Sequence, residues 1–341
     1  MLSVLDQVPV FRDGSPAQSV RESVDLARAV ESFGYRRFWV AEHHGSAANA
    51  CASPEIVVAT AAAATSRIRV GSGGVLLPHY SPLKVAETFR ILAALYPDRV
   101  DLGFGRGVGG PTAMAGLLNP YALATDEAFL QQIGRLLGFL GDSRAVTRVS
   151  VTPEVAEPPA PWLLGSGEGS ARMAGMLGLS FCFAQFIAAE ESPKAIAVYR
   201  EAFRPSPWLD EPRAMLALRV LCADTAARAE ELGTCFWMSC TTGWRAQVQL
   251  DDDYRGGAPS LADVGRYTLT AEDRSLRSKR PFLQISGTAP EVGAEIRRLQ
   301  TVYDVPEVIL TTNCPGATAR QRSYELLATE FALLAGAGQA D

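Results

Sequence analysis

Short apolar runs alternate with longer segments of helical periodicity along the first half of the chain. The apolar runs predict β-strands over residues 2–5, 37–41, 68–71 and 100–104. Apolar residues recur at helical spacing over residues 15–33, 53–64, 82–95 and 125–140. Successive strands begin about 30 residues apart, which is the length of one strand–helix unit. The pattern therefore predicts parallel strands joined by helices.

The second half of the chain continues this alternation less regularly. Further strands are predicted over residues 162–164, 181–184, 215–222 and 308–311. Further helices are predicted over residues 193–203 and 318–334. One more helix follows a turn at 165–170 and ends at 177, and another begins at 290. Residues 233–282 show no clean period. We interpret them as an irregular, partly helical insertion after the seventh strand of a single domain that covers residues 1–341.

Eight apolar strands, each followed by a helix, are typical of one α/β fold, the (β/α)8 TIM barrel, whose strands are buried on both faces. An open doubly wound sheet is the alternative for the same alternation. In a TIM barrel the chemistry lies at the carboxyl ends of the strands. Candidate site residues are therefore expected directly after the predicted strands.

The composition restricts the class of protein. With 341 residues, of which 48% are hydrophobic and 20% charged, the chain can bury a core without disulfides. Its net charge of −5 argues against binding to nucleic acid or to an anionic membrane. No apolar run is as long as the roughly 18 residues of a membrane helix, and the opening MLSVLDQVPVF lacks the basic start of a signal peptide. The six cysteines show no CxxC spacing, so we expect a cytoplasmic protein with reduced thiols.

Two predicted strand ends are suited to a phosphate group. The fifth strand is followed by Gly165, Ser166, Gly167 and Ser170, a turn that opens a helix. The unpaired N–H groups of a helix start bind phosphate, although an ordinary helix cap has the same composition. After the fourth strand, Arg106 stands between two glycines, where its guanidinium group could bind phosphate or pair with a surface carboxylate.

The three histidines of the chain all follow predicted strands, and two of them, His43 and His44, are adjacent and preceded by Glu42. Neighbouring side chains point in opposite directions along a strand, so these three cannot bind one metal ion, and no metal site is predicted. A structural pair remains one interpretation. The other is a proton donor, acceptor or orienting group at the barrel mouth. We expect one histidine to face the pocket and the other to pack into a neighbouring loop.

Four segments together resemble the bacterial luciferase-like flavin monooxygenases: FGYRRFWVAEHHG, TSRIRVGSGGVLLPHYSPLKVAE, YPDRVDLGFGRG and VPEVILTTN. The similarity runs from residue 2 to 334 and is weaker between 233 and 282. The ordered combination of EHH, VGSGG and GRG is specific, whereas each piece alone is not. Within the family, the chain is most similar to oxidoreductases of actinobacterial aromatic polyketide pathways, which implies a role in antibiotic biosynthesis.

The resemblance implies FMN bound at the mouth of the barrel. Arg106 matches the arginine that contacts the FMN phosphate, and Ser166 with its turn matches the phosphate loop. The third predicted strand is followed by Ser72, Gly73 and Gly74, which are assigned to the cofactor site. The two glycines match a non-proline cis peptide under the flavin ring, and paired glycines allow such a backbone.

The resemblance also assigns roles to the histidine pair. His43 matches the active-site histidine of the family, while His44 is expected to hold the loop and Glu42 to be turned away from the flavin. One departure is at Gly105, where the catalytic subunit of luciferase has a reactive cysteine. Light emission from a long-chain aldehyde is therefore not implied, although flavin binding is.

The implied reaction is the insertion of oxygen into a small organic substrate by reduced FMN and O₂, through a C4a-hydroperoxyflavin. Family members generally receive FMNH2 from a separate NAD(P)H-dependent reductase, and this chain has no GxGxxG fingerprint of its own. The family resemblance also implies a homodimer. Two alternatives remain: an oxidoreductase that uses the deazaflavin F420 on the same barrel, and a non-catalytic flavin-binding subunit.

Overall fold

The strands form where the apolar runs predict them. The computed structural model describes residues 1–122, 125–141, 150–188, 190, 192–241, 256–268, 270–280 and 283–333. Its strands are β1 (Leu2–Asp6), β2 (Arg37–Val40), β3 (Arg69–Leu76), β4 (Val100–Gly105), β5 (Ala160–Gly165), β6 (Ser180–Ala184), β7 (Ala214–Cys222), β8 (Ile285–Gly287) and β9 (Glu307–Thr311). Strand β3 continues beyond the predicted end at Gly71, because the glycines that follow stay in the sheet, with a register shift between Ser72 and Val75.

The helices follow the strands in the expected order. They are α1 (Pro16–Ser32), α2 (Pro54–Ala64), α3 (Pro82–Leu95), α4 (Thr112–Leu118), α5 (Asp126–Leu140), α6 (Glu168–Met176), α7 (Lys194–Ala202), α8 (Ala226–Cys240), α9 (Leu261–Val264), α10 (Ala271–Lys279), α11 (Ala289–Tyr303) and α12 (Ala317–Glu330). Helices α4 and α8 were not predicted. None of the described helices is long and apolar enough to cross a membrane.

The range 233–282, predicted as an irregular insertion, contains regular structure where it is described. Its first residues are the second half of α8, and α9 and α10 follow. Residues 242–255, 269 and 281–282 of this range lie outside the described residues, as does residue 334 at the end of the last predicted helix.

The sheet closes on itself, which confirms the TIM barrel and excludes the open sheet. The strand order is β6-β5-β4-β3-β2-β1-β9-β7, and a further pairing of β6 with β7 completes the circle. Every pairing between these strands is parallel. The eighth strand of the barrel is therefore β9, as predicted from residues 308–311. The short strand β8, which the sequence did not predict, pairs with no described strand except β7 and lies outside the circle.

Helix α1 shows how the sequence fixes an outer helix. The Ser15 hydroxyl accepts a hydrogen bond from the Gln18 N–H at 3.2 Å, which caps the first turn. Pro16 occupies the first helical position, where no backbone donor is needed. The buried stripe that packs on the barrel includes Leu26, Ala27 and Val30. Gly34, at φ +85°, then ends the segment with a conformation that glycine adopts without steric cost.

Ionic side chains fill the amino-terminal end of the barrel interior. The Arg37 guanidinium donates to Asp101 Oδ2 at 2.6 Å and to Glu307 Oε1 at 2.8 Å, and all three residues are buried. Arg69 donates to Asp101 Oδ1 at 2.7 Å, and the Trp39 indole donates to Oδ2 at 3.0 Å. Burial opposes ionisation of Asp101, but the two guanidinium groups outweigh it, so the pKa of Asp101 lies below its ordinary value. This cluster closes the barrel at the end away from the strand carboxyl termini.

We expect Arg37→Met to lower the free energy of unfolding by about 3 kcal/mol, because it leaves two buried carboxylates short of a partner. The matched control is Arg28→Met, which removes an ion pair to Asp25 whose two side chains are both 57% exposed. That change should alter stability by less than about 0.5 kcal/mol. Urea unfolding followed by circular dichroism measures the free energy of unfolding of both variants. Similar losses of stability in the two would show that the buried cluster does not contribute more to stability than the exposed ion pair.

Candidate active site

A cavity of about 610 Å³ opens at the carboxyl ends of the strands. This volume is in the range of cofactor pockets, roughly 300–1,000 Å³. Of the site residues predicted from the sequence, those that line it are His43, Gly73, Gly74, Arg106, Gly165, Ser166, Gly167 and Ser170. Two others, Ser72 and His44, do not line it. The barrel thus brings together residues from β2, β3, β4 and β5 that are distant in the sequence.

Trp39 and the glycines of β3 shape the inner wall of the cavity. A Cβ atom on Gly71 would lie 3.0 Å from the Trp39 indole nitrogen, and one on Gly73 would lie 2.5 Å from Leu5 Cδ1. The peptide between Gly73 and Gly74 is cis, as the sequence and the resemblance predict. The wall at β3 is therefore bare backbone, on which a planar group could lie close to the peptide.

Ser72 faces the other way. Its hydroxyl donates to the Gly103 carbonyl oxygen at 2.7 Å, and the residue is fully buried between the strands and the outer helices. Its part in the site is to tie β3 to β4. The sequence could not distinguish this role from a cofactor contact, because it depends on which face of the strand each residue of the glycine run occupies.

His43 presents a neutral imidazole to the cavity. Two residues earlier, Ala41 also lines the cavity, as expected for side chains that alternate along an extended chain. Among the described residues, His43 Nδ1 has no hydrogen-bond partner although it is buried. Burial, with a smaller effect of neighbouring His44, lowers the pKa of His43 to about 4. At neutral pH this side chain can therefore accept or donate one hydrogen bond without carrying charge.

Glu42 and His44 form a hydrogen-bond network beside the cavity. The Glu42 carboxylate lies 2.7 Å from His44 Nε2, accepts from the Tyr80 hydroxyl at 2.7 Å and accepts from the Leu76 N–H at 3.0 Å. The backbone N–H of His44 donates to the Gly109 carbonyl oxygen at 2.8 Å. The network joins the ends of β2 and β3 to the loop that carries Arg106. This is the arrangement expected for a histidine that holds the loop.

Arg106 pairs with a carboxylate at the edge of the cavity. Its guanidinium donates to Asp126, the first residue of α5, and lies 6.0 Å from the centre of the Phe129 ring. The Arg106 side chain is about half exposed, at 49%. In this conformation it therefore makes the surface ion pair that the sequence left open as the alternative to a phosphate contact. Both partners line the cavity.

The amino-terminus of α6 borders the same side of the cavity. Gly167 is the N-cap, and the Ser170 hydroxyl donates to its carbonyl oxygen at 2.8 Å. A Cβ atom on Gly167 or Gly169 would meet nothing within 4 Å, so space is open above the first turn. The first N–H groups of any helix lack partners within it and point along its positive end. Glu168 adds a negative charge to this turn.

The sequence missed several residues of the cavity. Gln7 follows β1 and lines the cavity, and the rule that chemistry lies at strand ends could have identified it. Its side-chain oxygen accepts from the Asn313 amide at 2.5 Å. Asp126 and Phe129 fall in the helix predicted over residues 125–140, and no local pattern marks them as cavity residues. Within the described part of the chain, no cluster of three or more His, Cys, Asp or Glu is arranged to hold a metal ion.

Comparisons with known proteins place the chain in a family and agree with its fold. A family model described as luciferase-like monooxygenase matches residues 1–300. The chain is 39% identical over 334 residues to the uncharacterized protein YceB of Bacillus subtilis, covering 97% of this chain and 99% of that one. It is 37% identical over 325 residues to a luciferase-like monooxygenase of Escherichia coli, with 95% of each covered. It is 33% identical over 331 residues to the N-acetyl-S-alkylcysteine monooxygenase of Bacillus subtilis, with 96% of each covered.

Solved structures share the fold. Apo-MsnO8 superposes with a TM-score of 0.87 at 35% identity, covering 97% of this chain and 98% of its own. The oxygenating constituent of 3,6-diketocamphane monooxygenase of Pseudomonas putida, solved in complex with FMN, gives 0.69 at 19% identity, with 97% and 98% covered. An F420-dependent secondary alcohol dehydrogenase gives 0.63 at 14% identity, with 97% and 99% covered. At such low identity the last two show the fold alone.

We expect His43 to titrate near pH 4. Because its folded pKa lies below the ordinary 6.5, the unfolded chain binds more protons between these values, and folding weakens as pH falls from 6.5 to 4. This increment, the loss in free energy of unfolding between pH 6.5 and pH 4, is at most about 3 kcal/mol, since one pKa unit corresponds to about 1.4 kcal/mol. His43→Asn should remove that increment, measured by urea unfolding at pH 7 and pH 4.5, and should remove one histidine signal from an NMR titration. A wild-type His43 signal that titrates near 6.5 would contradict the burial argument.

Proposed function

The chain belongs to the luciferase-like monooxygenase family, and from that premise we propose that it uses reduced FMN and O₂ to oxygenate a small organic substrate. The observation that carries the proposal is the imidazole of His43, whose Nδ1 has no hydrogen-bond partner among the described residues and which borders a cavity walled by Gly73 and Gly74. A basic side chain and a helix amino-terminus border the same cavity. This combination suits a flavin phosphate at one end and oxygen chemistry beside the imidazole.

The residues present fit FMN. The open space above Gly167 and Gly169, together with the N–H groups of the first turn of α6, suits a phosphate. Arg106 would add a charge-assisted contact after leaving Asp126. The bare backbone at Gly73 and Gly74 suits the flat face of a flavin ring, since any Cβ there would meet neighbouring atoms.

Reduced FMN would supply the reaction with O₂, by which one oxygen atom enters the substrate, the other leaves as water and the flavin ends oxidised. In our proposal, His43 hydrogen-bonds an oxygen atom of the reacting groups without introducing charge. The apolar wall at Leu5, Trp39 and Ile309 excludes water from that position. The network of Glu42 and His44 holds the loop on which Arg106 stands.

Four properties stay predictions. They are the supply of FMNH2 by a separate NAD(P)H-dependent reductase, assembly as a homodimer, location in the cytoplasm, and a role in aromatic polyketide or antibiotic biosynthesis. For trial substrates we include N-acetyl-S-alkylcysteines, the class named for one relative. Use of F420 in place of FMN is the alternative, and direct binding measurements with both cofactors distinguish the two.

We expect Arg106→Ala to weaken FMN binding about tenfold or more and to leave riboflavin binding nearly unchanged. Loss of a charge-assisted hydrogen bond to the phosphate costs about 1.5–3 kcal/mol of binding free energy. Riboflavin has no phosphate, so it makes no such bond and loses none. Asp126→Asn is the matched variant, because it removes the carboxylate that competes for the guanidinium and should tighten FMN alone. Flavin fluorescence quenching measures each affinity. Equal weakening of FMN and riboflavin by Arg106→Ala would remove the phosphate assignment.

We expect His43→Ala to keep the fold and most FMN affinity but to release H₂O₂ rapidly when its complex with reduced FMN is mixed with O₂. Loss of one positioned hydrogen-bonding or acid–base group typically costs about 10²–10⁴-fold, so the wild-type protein should release H₂O₂ at least about 100 times more slowly. Stopped-flow mixing with a peroxide-coupled dye measures the rate.

His44→Ala is the control for this measurement, because His44 lies outside the cavity lining. Fast peroxide release from His44→Ala together with slow release from His43→Ala would show that the other histidine carries the chemistry. Unchanged rates in both variants would return the pair to a structural role.

A further inference from the structure

Arg219 lies on the inward face of β7, one step nearer the barrel mouth than the described cavity wall. Ala217 pairs with Ile309 of β9, and both line the cavity. Arg219 pairs with Thr311 in the same ladder. Since side chains alternate along a strand, Arg219 points to the same side as Ala217. The sequence analysis and the proposed reaction give this residue no role.

The Arg219 guanidinium is buried without an anionic partner among the described residues. Only 7% of the residue is exposed, its one hydrogen bond there is to the Leu283 carbonyl oxygen at 3.2 Å, and its Nε atom has no partner. The Nε atoms of Arg90 and Arg320 also lack a partner among the described residues, but the remaining groups of the other buried arginines are better satisfied: Arg37 pairs with two carboxylates, Arg320 pairs with one, and Arg90 donates to four carbonyl oxygens. A buried charge without a partner is costly, which is why such groups are usually paired.

Two aromatic rings hold the guanidinium in place. Its central carbon lies 4.8 Å from the centre of the Phe186 ring and 4.3 Å from that of Phe236 on α8. Phe186 itself lines the cavity, so Arg219 contacts a residue of the cavity wall, although it is not itself one of the lining residues. Cation–π contacts use the faces of a guanidinium, whereas its N–H groups lie in the plane and still require acceptors. Burial lowers the pKa of Arg219 to about 10, which leaves it charged at neutral pH.

We propose that Arg219 binds a carboxylate group of the organic substrate and so makes the enzyme selective for organic acids. This rests on the proposed function in so far as the ligand is the substrate of the flavin site. A carboxylate matches the in-plane N–H groups of a guanidinium and would neutralise the buried charge. Strand β6 separates β7 from β5, so Arg219 occupies a different part of the rim from the phosphate residues Arg106 and Ser166.

The test compares acids with their neutral amides of the same shape. The probes are benzoate with benzamide, and N-acetyl-S-benzylcysteine with its amide, titrated into the protein with oxidised FMN by isothermal calorimetry. We expect the wild-type protein to bind at least one acid about tenfold or more tightly than its amide. Arg219→Met should bind acid and amide equally, with the amide affinity unchanged, while Arg219→Lys should keep part of the preference. Equal binding of both pairs by the wild-type protein, including no measurable binding, overturns the proposal.

Three controls separate this result from other roles of the residue. Arg213→Met changes a partly exposed arginine at the opposite end of β7 and should keep the acid preference. Riboflavin and FMN affinities measured in parallel test the flavin site itself. If Arg219→Met weakens both flavins and keeps the acid preference, Arg219 serves the flavin and the proposal is wrong. If the wild-type protein prefers the acid but does not bind FMN, the flavin function fails and the anion site stands.

Asp251, Asp252 and Asp253 lie outside the described residues, and their joint change to asparagine completes the design. We expect this variant to keep the acid preference of the wild-type protein. If the wild-type protein shows no preference and the triple variant gains one, the chain itself supplies the anion to Arg219, and the proposal is wrong.

Discussion

The size of the inward side chain at each level of the barrel decides where the interior is filled and where it is open. Side chains alternate along every strand, so every second residue points inward, and each layer of the interior is filled by side chains from alternate strands. At the first level Arg37, Asp101 and Glu307 fill the barrel with a paired ionic cluster. At the next level the indole of Trp39 extends over Gly71. Above it small residues, among them Ala41, Gly73, Gly105 and Ala217, leave a cavity.

Because the amino-terminal end of the barrel is filled, a ligand can enter only from the carboxyl ends of the strands. The ionic cluster is satisfied by its own members, so it neither requires nor attracts a ligand at the closed end. The indole above the cluster donates to Asp101 and turns its apolar faces toward the cavity floor. The cavity is therefore apolar below and polar only at its rim, where the strand ends bring His43 and Arg106. A ligand whose reacting part is flat and apolar, and whose ends are charged, is complementary to such a space.

The same alternation explains which features the sequence could predict. Barrel strands and most outer helices follow from apolar periodicity, because burial on both faces leaves a continuous apolar run. The separation of His43 from His44 follows from counting residues along the extended chain that leaves β2. That Ser72 turns away from the cavity could not be predicted, because a run of glycines gives no signal of which face each residue occupies. Helix α8 was missed because its apolar residues include Cys235 and Trp237 among small and polar ones. The pairing of Arg106 with Asp126 joins two segments whose contact depends on loop geometry, which no local pattern encodes.

The two arginines at the rim differ in a way that bears on what each can bind. Arg106 is half exposed and already has a carboxylate beside it, so a ligand must displace Asp126, and only a group with more charge than one carboxylate gains from the exchange. A flavin phosphate, with up to two charges, meets that condition. Arg219 is buried, held between two rings, and has no carboxylate partner among the described residues, so a single charge is enough. Under the proposed function, Arg106 would therefore favour a dianionic cofactor and Arg219 a monoanionic substrate, because the two guanidinium groups differ in how far they are already neutralised.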